Sequence, residues 1–216
     1  MTPSVAKNPQ VIRMPKARAK QAPRARISYM NEEQIARFLQ AAREYGKREY
    51  AMFLFGLAHG ARASEIAGLK LSDINWKTEQ VRVARVKGSL ETTQSLLRVK
   101  GNPLFNEAAA FKDWLGERKE DAGDFVFNSP KSVKLSRIQV YRLFREIAKR
   151  ADLPEALRHP HCLKHSAAML LVNQGANAFM IKQALGHRNF DSTLQYVNPS
   201  DSQASEALGS AFGKAF

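Results

Sequence analysis

The chain has 216 residues and a single cysteine, Cys162, so it cannot form an internal disulfide and suits a reducing compartment. No apolar run reaches the roughly 18 to 20 residues that a membrane-spanning helix needs, and no lipidation motif is present. The N-terminus is basic, but no apolar stretch follows its charges, so it does not read as a secretory signal. Carboxylate clusters at metal-ligand spacing and internal repeats are also missing. The expectation is a cytoplasmic protein with neither a membrane partner nor a metal or organic cofactor.

Positive charge is abundant. There are 34 Lys plus Arg against 20 Asp plus Glu, a net charge of +14, and such a field attracts polyanions, above all nucleic acid. Residues 1–28 carry Lys7, Arg13, Lys16, Arg18, Lys20, Arg24 and Arg26 with no acidic residue, interleaved with Pro3, Pro9, Pro15 and Pro23. Such a segment cannot bury enough apolar surface to order itself, so it reads as a flexible arm that contacts DNA phosphates.

From Asn31 onward the composition, 44% hydrophobic overall, is that of a folded domain. Asn31 and Gln34 form a capping box, followed by Ile35, Phe38, Leu39 and Ala42 at helical spacing. A nearly continuous apolar helix over 47–58 comes next, then a short one over 63–69 that places Glu65 one turn after Arg62. An arginine beside a buried helix needs an anion, and either Glu65 or a phosphate can supply it. The period then changes to two over 80–86, with Val81, Val83 and Arg85 on one face. A second short strand is expected over 95–99, with a polar, mobile connection carrying Lys87 between the two.

Helices are expected again over 106–117 and 136–150. The second has Arg137, Arg142, Arg145 and Lys149 against Ile138, Val140, Tyr141, Phe144 and Ile147, which suits a helix lying along DNA. Further helices over 161–174 and 178–185 are ended by Gly175 and Gly186. Asp191 is placed to cap a last short helix carrying Tyr196, and residues 201–216 form a tail with Ala204, Leu208, Ala211 and Phe212 at helical spacing. The fold class is therefore mainly α with a small antiparallel β-sheet.

The chemically dense stretch is His159 to Tyr196, with His161, Lys164, His165 and His187 preceding the tyrosine. His159, His161, Cys162 and His165 crowd together like zinc ligands, but on a helix Cys162 points roughly 100° away from His161 and His165, and no second ligand cluster exists. Breaking a phosphodiester without a metal requires a nucleophile, positive charge on the nonbridging oxygens and an acid for the leaving alkoxide. Tyr196 can be the first, Arg62, Lys164 and His187 the second, and Lys87 the third, with His161 assisting proton movement at the nucleophile.

Arg62 in HGARASEIAGLKLSDIN, Lys87 in VKGS, the H-x-x-K-H box at 161–165, the L-G-H at 185–187 and Tyr196 nine residues later resemble, in order, the signature of the tyrosine recombinases, the phage-integrase family. The match covers about residues 29–200. It implies a catalytic domain that cleaves and rejoins double-stranded DNA through a covalent 3′-phosphotyrosyl intermediate at Tyr196 and frees a 5′-hydroxyl, with no cofactor. It further implies that Arg62, Lys164 and His187 bind the scissile phosphate, that Lys87 is the general acid, that His161 acts in acid or base catalysis, and that Glu65 and His165 support them. On the charge reading above, Arg13, Lys16, Arg18, Lys20, Arg24, Arg26, Arg137 and Arg142 are the residues expected to contact DNA. The protein would assemble as a tetramer on paired sites, be a monomer or dimer when free, work with accessory DNA-bending proteins and associate with the nucleoid.

Two departures stand out. The family usually has arginine at the position of Lys164, which exchanges a planar bidentate fork for a compact point charge. Only the basic arm precedes the catalytic domain, as in the short recombinases that invert fimbrial promoter switches, and the 201–216 tail is then a candidate to dock on a neighbouring protomer. A type IB topoisomerase shares this chemistry, and a DNA-binding protein on the same fold that has lost catalysis is the remaining alternative.

Overall fold

The protein is described from a computed structural model over residues 27–86, 88–119, 123–129, 134–197 and 201–215. The arm residues Arg13, Lys16, Arg18, Lys20, Arg24 and Arg26, and the strand-end Lys87, lie outside the described residues.

Helix α1 (Glu32–Tyr45) begins at the expected capping box, in which Asn31 accepts from the Gln34 amide and the Gln34 side chain accepts from the Asn31 amide. Its buried stripe, Ile35, Phe38, Leu39 and Ala42, packs on α2 (Lys47–Ala58). Every residue of α2 from Glu49 to Leu57 is buried, because α1, α4 (Glu107–Leu115) and α6 (His161–Asn173) all contact it. This explains why its sequence has no polar face. Phe38, Phe53 and Phe144 join α1, α2 and α5 (Arg137–Arg150) through ring contacts of 4.7 to 5.5 Å. Phe144 lies on the buried side of α5 with Val140 and Ile147, whereas Ile138 and Tyr141 are exposed.

The sheet is antiparallel in the order β1 (Ile74–Asn75), β2 (Gln80–Val83), β3 (Thr92–Ser95). β3 lies inside the stretch expected to be a mobile connection, and the strand expected over 95–99 forms at 92–95 instead. Its register sets Val83 against Thr92 and Val81 against Gln94. Apolar content failed as a guide because β3 satisfies its inward polar groups by hydrogen bonds: Thr92 with Arg85, and Gln94 with His59 and the Ala184 carbonyl.

Past α6, Gly175 turns with φ +74° into α7 (Ala178–Ala184), and Gly186 turns with φ +63° toward α8 (Asp191–Leu194). At Gly186 a Cβ would lie 2.5 Å from the Leu90 carbonyl oxygen, so close approach as well as backbone conformation requires glycine here. Phe190, not Asp191, is the N-cap of α8, and Asp191 sits in the first turn, where a carboxylate suits the helix dipole. Tyr196 lies in the turn just beyond α8. Helix α9 (Asp201–Ala215) ends the described chain.

The apolar interior is divided. A large cluster holds α1, α2, α3 (Ala63–Gly68), α4, α5, the start of α6 and the sheet, while Ala167, Ala168, Ile181, Leu185 and Tyr196 form a small separate one.

Candidate active site

Arg62 is the N-cap of α3 (Ala63–Gly68), where the chain leaves buried α2 through Gly60. Its Nη1 donates to Glu65 Oε1 at 2.8 Å and to Ser89 Oγ at 3.0 Å. Glu65, fully buried, also accepts from the Arg62 amide, the Val86 amide and Arg85. Burial pushes the Glu65 carboxyl up, but the two Arg62 bonds and the Arg85 charge outweigh it and hold the group below the usual carboxylate range. Of the two partners open to Arg62 in the sequence, then, Glu65 is taken, and the guanidinium still opens on a cleft of about 490 Å³ shared with Arg137, Tyr141, His159 and His161. Arg142 is exposed on the same helix as Arg137 but does not line the cleft.

Arg85 is a site residue that sequence reasoning placed only on a strand face. Its side chain is wholly buried and donates to the carbonyls of His59, Gly60 and Ala184 as well as to Thr92 and Glu65. It ties together the end of α2, the start of α3, β3 and the end of α7. The available signal was parity, since Arg85 shares the inward face with Val81 and Val83.

Lys164 is 2% exposed, and its Nζ donates to the Leu185 carbonyl at 2.7 Å, pinning the turn that presents His187. One ammonium proton is used there, leaving two for an anion. Burial, then the Arg85 and Arg62 charges, lower Lys164 to about 7. The unfolded chain keeps a lysine near its ordinary value, about 10.4, so between those values the unfolded state binds the proton that the folded state lacks. Stability is therefore expected to rise by about 2–3 kcal/mol between pH 7 and pH 9 from this group. Urea unfolding at both pH values should show the rise, and Lys164→Met should flatten it.

His187 is buried and its Nδ1 lies 2.9 Å from the Oγ1 of fully buried Thr193. Burial, then Lys164 and Arg62, lower it to about 4, so it is neutral at physiological pH. In the tautomer whose Nδ1 accepts the Thr193 hydroxyl proton, Nε2 carries the hydrogen and can donate. The His187 ring stacks on Tyr196, with centroids 6.3 Å apart and planes 8° apart.

Tyr196 is 8% exposed, its ring packed in the small cluster. Burial raises the phenol to about 12 against the opposing Arg62 charge. Its hydroxyl lies 2.8 Å from His165 Nδ1. His165 is lowered to about 4 by burial and by His161, whose ring meets it edge-on at 4.6 Å. His161 itself remains exposed in the cleft, and desolvation followed by the Arg62 and Lys164 charges lowers its pKa. Cys162, facing the other way, donates to the Leu157 carbonyl inside the core, where burial pushes its thiol up to about 12. Among the described residues no group of His, Cys, Asp and Glu is arranged to hold a metal ion.

The structure thus gathers Arg62, Glu65, His161, Lys164, His165, His187 and Tyr196, which the sequence scatters over more than 130 positions. A phenol held between imidazoles beside several cations is a layout that suits strand transfer on DNA. A model of the phage integrase family matches residues 28–203, and the chain belongs to that family. The type 1 fimbriae regulatory protein FimB of Escherichia coli K12 is 34% identical over 175 residues, which cover 79% of this chain and 84% of FimB.

Among solved structures, the XerH site-specific recombinase bound to its difH substrate before cleavage superposes with a TM-score of 0.69 at 20% identity, covering 83% of this chain and 53% of XerH. The catalytic domain of bacteriophage HP1 integrase gives 0.60 at 21%, covering 85% of this chain and 95% of that domain. These likenesses show the fold, a tyrosine recombinase catalytic domain, and this chain spans about half the length of XerH.

Proposed function

We propose that this protein, a tyrosine-type site-specific DNA recombinase, cleaves one DNA strand by attack of the Tyr196 hydroxyl on a phosphate held in the Arg62 cleft. The 2.8 Å contact of the phenol with His165, beside Arg62, Lys164 and His187, is the observation that carries this reading. Arg62 and the two remaining Lys164 protons neutralise the nonbridging oxygens, and His187 donates through Nε2. Lys87 is read from the sequence as the acid for the leaving 5′-oxygen, and its described neighbours Val86 and Ser89 bond to Glu65 and Arg62. The basic arm and Arg137 with Arg142 hold the flanking duplex.

Incubation with a nicked duplex carrying the protein's own site is expected to give a covalent adduct that joins the protein to a 3′ end and leaves a free 5′-hydroxyl. Relaxation of supercoiled DNA without any specific site, and without paired-site recombination, would point instead to a topoisomerase.

Self-association is read from the tail. Leu208 on α9 is 62% exposed, and a groove of about 710 Å³ lined by Ile35, Leu57, Leu97, Leu170 and Leu171 is open on the same chain. An exposed apolar helix residue and an apolar groove elsewhere among the described residues suit a head-to-tail contact between copies, which forms a ring where the rotation between copies closes. Deleting residues 201–216 is expected to leave binding to a single site intact and to abolish the multimer on paired sites, as read by native gel shift.

A further inference from the structure

The sequence alone assigns proton movement at the nucleophile to His161. The geometry separates the two histidines of the box: His161 faces the cleft, while His165 touches the phenol. We propose that His165 Nδ1 is the base that takes the Tyr196 proton during attack, a role that rests on the phosphotyrosyl reading above.

Three features support it. At 2.8 Å the phenol and Nδ1 are already at proton-transfer distance, without any side-chain rearrangement. The pair is held on both sides, by the edge-on His161 ring against His165 and by the stacked His187 ring against Tyr196. His165 is also kept neutral, so one ring nitrogen keeps a lone pair, and the proposed role requires the tautomer in which it lies on Nδ1.

In the free protein the proton stays on the phenol, because burial holds Tyr196 at about 12 and His165 at about 4. A bound phosphate changes both terms. Its negative charge favours the imidazolium, and the cations drawn up around it favour the phenolate. As the Oη–P bond forms and the P–O5′ bond breaks, the phenolic proton passes to Nδ1 and the 5′-oxygen takes a proton from Lys87. On resealing, the 5′-hydroxyl attacks and gives its proton back to the neutral Lys87 amine, and Nδ1–H returns its proton to the departing Tyr196 oxygen. His161 then serves the phosphate side of the cleft.

The test uses the full chain and nicked duplexes carrying the site that the protein itself selects from randomised DNA, with covalent adduct formation followed in time. His165→Asn retains an acceptor oxygen near the place of Nδ1 but cannot take up a proton. It is expected to form the adduct roughly 100-fold more slowly, the low end of general-base contributions. Replacing Tyr196 by 3,5-difluorotyrosine, a more acidic phenol, in that background should restore most of the rate, because a nucleophile that ionises readily needs less help.

A His165→Asn rate close to wild type, or a loss that fluorination does not restore, overturns the proposal. Absence of any adduct in the wild type overturns the phosphotyrosyl reading itself. A measurement without variants stands beside these: the ¹⁵N shift of His165 Nδ1 at neutral pH should be that of an unprotonated nitrogen, and a protonated Nδ1 overturns the assignment.

Discussion

Tyr196→Phe is expected to bind DNA as the wild type does and to form no covalent adduct. Removing the only oxygen of the attacking group eliminates the nucleophile outright, which costs strand cleavage roughly 10⁴-fold or more. The protein should fold, because the aromatic ring supplies what the small cluster uses: its packing with Ile181 and Leu185 and its stack on His187. What is lost is the bond to His165, about 1 kcal/mol in net terms. Gel shift and adduct formation on the same nicked duplex separate the two properties. A Phe variant that still formed adduct would move the nucleophile elsewhere and with it the whole reading of the site.

The second large effect concerns stability. Glu65→Ala is expected to destabilise the fold by roughly 3–5 kcal/mol, the cost of leaving a buried ion without its partner. Glu65 is the carboxylate to which both Arg62 and Arg85 are bonded, and Arg85 has no solvent to turn to, with its Nε already buried without a hydrogen-bond partner. The same change removes the acceptor that closes the Arg62 cap of α3 and the anchor of the Val86 amide. Thermal unfolding should fall on the order of 10 °C. Pairing Glu65→Ala with Arg85→Met should recover part of the loss, since the double variant removes the stranded charge, and the size of that recovery measures the coupling.

Much of the helical frame was legible because its signals are local. The Asn31–Gln34 box, the all-apolar 47–58 segment and the glycines at 175 and 186 each act within one or two turns of chain. The sheet was only half legible. β2 alternates, but β3 is a polar strand whose inward residues are satisfied by Arg85, His59 and the end of α7, partners 7 to 90 positions away. No window of sequence contains that information.

The site divides in the same way. Of the ordered boxes in the sequence, those at Arg62, His161–His165, His187 and Tyr196 fall together in the fold, yet the difference between His161 and His165 depends on which ring reaches the Tyr196 hydroxyl, a matter of packing between α6 and the turn after α8. The burial of Lys164 was hidden for the same reason, because its partner is a backbone carbonyl 21 positions on, and a carbonyl has no sequence signature.

The split interior has a dynamic consequence. Ala61, Ile66 and Ala67, which flank Arg62 and Glu65, belong to the large cluster, whereas Tyr196 belongs to a cluster of five buried side chains. Regions with few buried contacts open at lower free energy than the rest of a fold, so the segment from α7 to Tyr196, which also carries His187, is expected to exchange its amides ahead of α1 and α2. Tyr196 and His187 thus sit together on the more sparsely packed part of the interior, and Arg62 beside the more densely packed one.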